Sequence, residues 1–105
     1  MKVIVTIDTT NRKEVTVGLE IDGKASVEKQ ALDTRKAQVV LPLLEELLQK
    51  HKLTLQDISE ITINPGPGSF TGIRVGITIA NTLGFLLNIP VNGKKAGEPV
   101  EANYF

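Results

Sequence analysis

The chain has no cysteine and no tryptophan, and it has one histidine, one methionine and one tyrosine in 105 residues. Without cysteine, neither a disulfide framework nor thiolate chemistry is available. A single histidine, His51, excludes a site built on two or more, such as a typical catalytic zinc centre. With only three phenylalanines beside that tyrosine, the chain lacks the aromatics for a base-stacking platform. Charge of one sign is missing as well, since 12 Lys and Arg oppose 12 Asp and Glu. The longest basic clusters are the pairs Arg12-Lys13, Arg35-Lys36 and Lys94-Lys95, not the basic face of a stand-alone nucleic-acid binder. No apolar run approaches the roughly 18 residues of a membrane span. The opening Met1–Asp8 is too short and too regular for a signal peptide. These absences fit a cytoplasmic protein; no metal, membrane or direct nucleic-acid contact is expected, and no cofactor beyond a weakly bound nucleotide.

What is present suits one domain with a thin two-layer core, at 41% hydrophobic residues. Val3, Val5 and Ile7 alternate with polar positions, Ile4 excepted. Val15, Val17, Leu19 and Ile21 do so more cleanly over residues 14–22. Period two predicts half-buried strands. Thr9-Thr10-Asn11-Arg12 breaks the first strand from the second. Asp22-Gly23 is a two-residue hairpin signal. A third, edge strand follows from about Lys24 to Leu32, with Ala25 and Val27 expected inward.

The period then changes. Thr34 can cap a helix, and Val40, Leu43, Leu44, Leu47 and Leu48 repeat helically to about Lys50. Pro42 should kink that helix or mark a late start. Thr54 and Asp57 resemble a capping box for a short turn. Ile61-Thr62-Ile63 reads as a short buried strand that ends in Asn64-Pro65-Gly66-Pro67-Gly68. Residues 71–88 alternate like a strand at Ile73, Val75, Ile77 and Ile79, but their length suits a helix. On a helix, Gly72, Gly76, Ala80 and Gly84 fall on one stripe. Ile89-Pro90-Val91 begins another extended piece. The order β-β-β-α-β-α-(β) predicts an α/β lobe, in which an antiparallel meander and parallel strands share a mixed sheet with helices packed on it.

Two segments carry chemical information. Gly66-Pro67-Gly68-Ser69-Phe70-Thr71-Gly72-Ile73-Arg74 is a glycine-rich loop opening a helix. Its N–H groups can hold an anion, or it can be a tight turn capped by Ser69 or Thr71. It is not a P-loop, since no Lys-Ser or Lys-Thr follows. Asp8-Thr9-Thr10 follows the first strand, where it can serve a phosphate or simply accept backbone N–H groups in a turn. Glycine costs a helix interior about 1 kcal/mol, so Gly76 and Gly84 call for an offsetting close approach. That neighbour is either the chain's own sheet or another helix. Lys50-His51-Lys52 reads as a solvated helix end.

Pro67-Gly68-Ser69-Phe70-Thr71-Gly72-Ile73-Arg74 resembles the hallmark of the TsaB (YeaZ) family. Val5–Thr10, Val40–Leu48 with its proline, and Leu55–Ile61 are similar to other segments of it. The resemblance covers about residues 1–92 and implies one actin-like (ribonuclease H-like) lobe, with 71–88 helical. It departs at Lys36-Ala37-Gln38, where relatives commonly carry His-Ser-Glu, and in lacking most of a second lobe. Within the tail, 93–105, the stretch Pro99–Phe105 faintly resembles the family's C-terminal Pro-x-Tyr segment, so an internal deletion retaining a final strand is expected; a fragment would account for the length and not for that stretch. The resemblance implies a non-catalytic subunit that dimerises. Its partner would be a TsaD-type transferase of tRNA threonylcarbamoyladenosine synthesis, with a TsaE-type ATPase in a larger complex. The implied interface is Val40, Leu43, Leu44 and Leu47 with Gly72, Ile73, Gly76, Ala80, Leu83 and Gly84. Asp8, Thr9 and Thr10 would be a vestigial phosphate site. The rival readings are a phosphate- or nucleotide-binding enzyme of the sugar-kinase superfold and a stand-alone homodimeric module. Peptidase activity is rejected on the single histidine.

Overall fold

Period-two alternation becomes sheet where it is expected. The computed structural model describes residues 1–31 and 36–103. Strands β1 (Val3–Asp8), β2 (Glu14–Ile21) and β3 (Lys24–Ala31) form an antiparallel meander. Asp22 and Gly23 both take positive φ, 48° and 89°, matching the twist of a two-residue hairpin. β4 (Glu60–Ile63) joins β1 in parallel, with Val5 opposite Ile61, and the sheet order is β3-β2-β1-β4. Val3, Val5, Ile7, Val15, Val17, Leu19, Ile61 and Ile63 supply the buried face.

Helices α1 (Lys36–Lys50) and α2 (Phe70–Leu87) pack on that face with the same core. α1 runs through Pro42, so it neither starts late nor ends there. The proline is exposed, and water can satisfy the backbone carbonyl that its missing N–H leaves unbonded. Thr34, the expected cap, and Leu32 lie outside the described residues. A single turn of 3-10 helix, Leu55–Asp57, follows; its Asp57 carboxylate accepts from the Thr54 N–H at 2.8 Å.

Three expectations need correction. Ala25 and Val27 are exposed, and Val27 lies opposite Gly18 on the face that the helices leave open. Residues 93–103 hold no strand; the extended piece contributes only a bridge between Val91 and Ile61. The Asn92 side chain closes that edge instead. It accepts from the Ile63 N–H at 2.8 Å and donates to the Ile63 carbonyl at 2.9 Å. Finally, α2 is long and apolar enough to cross a membrane by length and composition only (18 residues, mean hydropathy 1.4). A third of it is buried in the lobe, where Ile73, Ile77, Ala80 and Leu83 carry part of that apolar content.

Candidate functional site

Because β1 and β4 run parallel, their carboxyl ends open into loops on the same side of the sheet. Asp8 ties the two loops together. Its Oδ1 accepts from the Thr10 N–H at 2.9 Å and from the Thr10 hydroxyl at 2.7 Å. Its Oδ2 accepts from Asn64 Nδ2 at 3.1 Å. Asn64 Oδ1 in turn accepts from the Gly66 N–H at 3.1 Å. Thr9 is fully buried, and its hydroxyl donates to the Gly72 carbonyl at 2.6 Å. The Ser69 N–H donates to the Thr10 carbonyl at 2.7 Å, and the Ser69 hydroxyl caps α2 by accepting from the Gly72 N–H at 3.3 Å. Gly68 is required by this closeness, since a Cβ there would lie 2.6 Å from Thr10 Cβ.

This geometry favours the capped turn over the anion cradle. The N–H groups of Gly66, Ser69 and Gly72 all bond within the chain. Thr9 points beneath α2 instead of into the mouth of the loop, and Asp8 holds the loops closed. Among the described residues, no group of three or more His, Cys, Asp or Glu could hold a metal. Pro67, Gly68, Phe70, Thr71 and Arg74 of the motif are exposed.

The expected interface residues are brought together, but inside the chain. Val40, Leu43, Leu44, Leu47, Ile73, Ala80 and Leu83 are core residues, and Gly72, Gly76 and Gly84 are buried with them. A Cβ on Gly76 would collide with Thr9 Oγ1, and one on Gly84 would sit 2.5 Å from Val91 Cγ2. The bare stripe therefore admits the chain's own strand ends, and these ten residues are not available to a partner while the lobe is folded. Bulky residues at Gly76 or Ala80 would damage the fold before they tested assembly.

The surface that sequence reasoning missed is the opposite arc of α2. Phe70, Phe85 and Leu86 are 57%, 72% and 69% exposed. Thr71, Arg74, Thr78 and Thr82 lie on the same arc, with Val75 and Ile79 half-buried at its margin. Arg74 stacks over the Phe70 ring at 5.6 Å from its centroid. The signal was available: Phe70, Phe85 and Leu86 fall off the small stripe on a helical projection, and large apolar side chains there have no place in the core.

Known proteins share both sequence and architecture with this chain. The family model described as "TsaD: tRNA N6-adenosine threonylcarbamoyltransferase" matches residues 30–94. The "tRNA threonylcarbamoyladenosine biosynthesis protein TsaB" of Bacillus subtilis is 33% identical over 103 residues, which is 95% of this chain and 44% of that protein. The protein of the same description from Escherichia coli is 33% identical over 90 residues, 86% of this chain and 38% of its own length. The solved structure of YeaZ from Pseudomonas aeruginosa superposes with a TM-score of 0.80 at 31% identity, covering 87% of this chain and 42% of that one. The chain thus spans less than half the length of these relatives. Within that span sequence and fold agree, and the chain belongs to the TsaB (YeaZ) family.

Proposed function

We propose that this chain is a non-catalytic scaffold subunit of the cytoplasm that pairs with a TsaD-type transferase in tRNA threonylcarbamoyladenosine synthesis. The observation that carries the reading is the exposed arc of α2. Three large apolar side chains stand in solvent there, two of them adjacent in sequence at Phe85 and Leu86. Large apolar side chains exposed along one helix face, from Phe70 at its start to Phe85 and Leu86 near its end, suit an interaction surface, and phenylalanine and arginine are both enriched at such surfaces. The loops above the sheet support a structural role, since Asp8 and Thr9 are engaged in holding them. The same arc would serve a homodimer, and a TsaE-type ATPase would join only the larger assembly.

The test is light scattering on a size-exclusion column, with the chain alone and then mixed with the TsaD-type protein of the same organism. A mixed complex is expected. Phe85→Ser with Leu86→Ser should abolish it while stability changes by no more than about 0.5 kcal/mol, as for other surface substitutions. A homodimer indifferent to the partner would overturn the scaffold reading in favour of a self-associating module. Heat on titration with millimolar ATP would favour the enzyme instead.

A further inference from the structure

After Val91 the chain leaves the sheet. Asn92 and Gly93 turn it at φ 52° and 74°, and Gly97 turns it again at φ 85°. Residues 92–99 are all exposed. Val100, however, is 6% exposed and belongs to the core. It is held by one side chain of α2: Asn81 Nδ2 donates to the Val100 carbonyl at 3.0 Å, and Asn81 Oδ1 accepts from the Val100 N–H at 2.9 Å. That donor–acceptor pair is what one strand offers another, here presented by a single amide. Three residues on, the Asn103 N–H donates to the Pro65 carbonyl at 2.7 Å. The Asn103 carbonyl lies against Gly66, where a Cβ would collide with it. Between these anchors Glu101 is exposed and Ala102 half-buried, the alternation of an extended peptide.

Nothing in this attachment uses the sheet, because the Asn92 amide already occupies the Ile63 backbone. Main-chain hydrogen bonds at two points plus one apolar pocket are the working parts of extended-peptide recognition. We infer that the groove between the Asn81 flank of α2 and the Pro65–Gly66 turn is a peptide-docking site. It is filled in cis by residues 98–103 and selects an extended segment with a β-branched aliphatic side chain at the Val100 position. The tail is a tethered ligand whose release uncovers a groove beside the glycine loop. This goes beyond the scaffold reading and does not depend on it.

The experiment uses the full chain and a fluorescent peptide of residues 98–103, followed by anisotropy. The wild-type chain should bind the peptide weakly, since its own tail competes at roughly millimolar effective concentration. The chain carrying Val100→Asp should release its tail and capture the wild-type peptide. Adding Asn81→Leu to that chain should weaken capture at least about tenfold, and a peptide with aspartate in place of its valine should not bind. Hydrogen exchange on the Val100→Asp chain, with Val100→Ala as the milder variant, should show fast exchange at residues 100 and 103 and unchanged protection at Val5 and Ile61. Three results would overturn the inference. One is no capture by a Val100→Asp chain whose core remains protected. Another is capture indifferent to Asn81→Leu. The third is loss of protection at Val5 and Ile61 together with the tail in both variants, which would make the tail part of the core.

Discussion

Thr9 and Gly76 form a contact in which each residue explains the other. The Thr9 side chain sits at the end of β1 with α2 lying directly over it, and only a residue without a Cβ fits above. Gly76→Ala gains about 1 kcal/mol of helix propensity, yet it presses on a buried, hydrogen-bonded hydroxyl. Overpacking of this kind costs about 1–3 kcal/mol, so a net loss is expected as a lower urea midpoint. Thr9→Ala alone should also destabilise, through the lost hydrogen bond. In Gly76→Ala/Thr9→Ala the new methyl occupies the vacated space, so the two losses should not add. Additive losses would show that Thr9 is not what excludes a side chain at residue 76. The glycine stripe was legible in the sequence as a helix deficit needing a close neighbour. Which neighbour it has was not, because a four-residue spacing says that a stripe is bare and nothing about what lies over it.

At the scale of elements, β3 shows how far counting from a turn can reach. The hairpin at Asp22-Gly23 fixes the register, so Leu19, which is inward, lies opposite Ser26, and Gly18 lies opposite Val27. Hydrophobicity puts Val27 inward; register puts it outward, and register prevails because a one-residue slip would turn the whole strand over. Turn and strand were both readable, and together they give the correct face. Ser26→Val should therefore raise the melting temperature, adding apolar area beside Leu19 worth about 0.5–1 kcal/mol. Val27→Thr should stay within about 0.5 kcal/mol of wild type. The reverse pattern in thermal melts would mean that β3 pairs in another register. α1 and α2 were legible for a different reason: the leucine repeat of α1, and a length in α2 that no strand of this sheet approaches.

Over the whole molecule, stability is distributed unevenly. The sheet, α1 and α2 share one core, whereas residues 92–99 run through solvent between two buried valines, Val91 and Val100. Trypsin should therefore cut first after Lys94 or Lys95, as exposed turn tips are the preferred sites of nicking. Mass spectrometry of a digestion time course would identify the site, and a first cut within α1 or the meander would contradict this distribution. The lobe itself could be anticipated from the order of its elements. The path of the tail could not, because one asparagine pairing with the backbone of a residue 19 positions away leaves no periodic trace in sequence.

The amide of Asn92 has one more consequence, for colloidal behaviour. By occupying the N–H and carbonyl of Ile63 it removes the hydrogen-bonding row that an exposed edge strand offers to a neighbouring molecule. Replacing it by glycine, which tolerates the φ of 52° at this position, would uncover that row without disturbing the turn. The chain carrying Asn92→Gly should form thioflavin-positive assemblies at concentrations where the wild type stays clear, so that this asparagine acts as a gatekeeper against fibril growth.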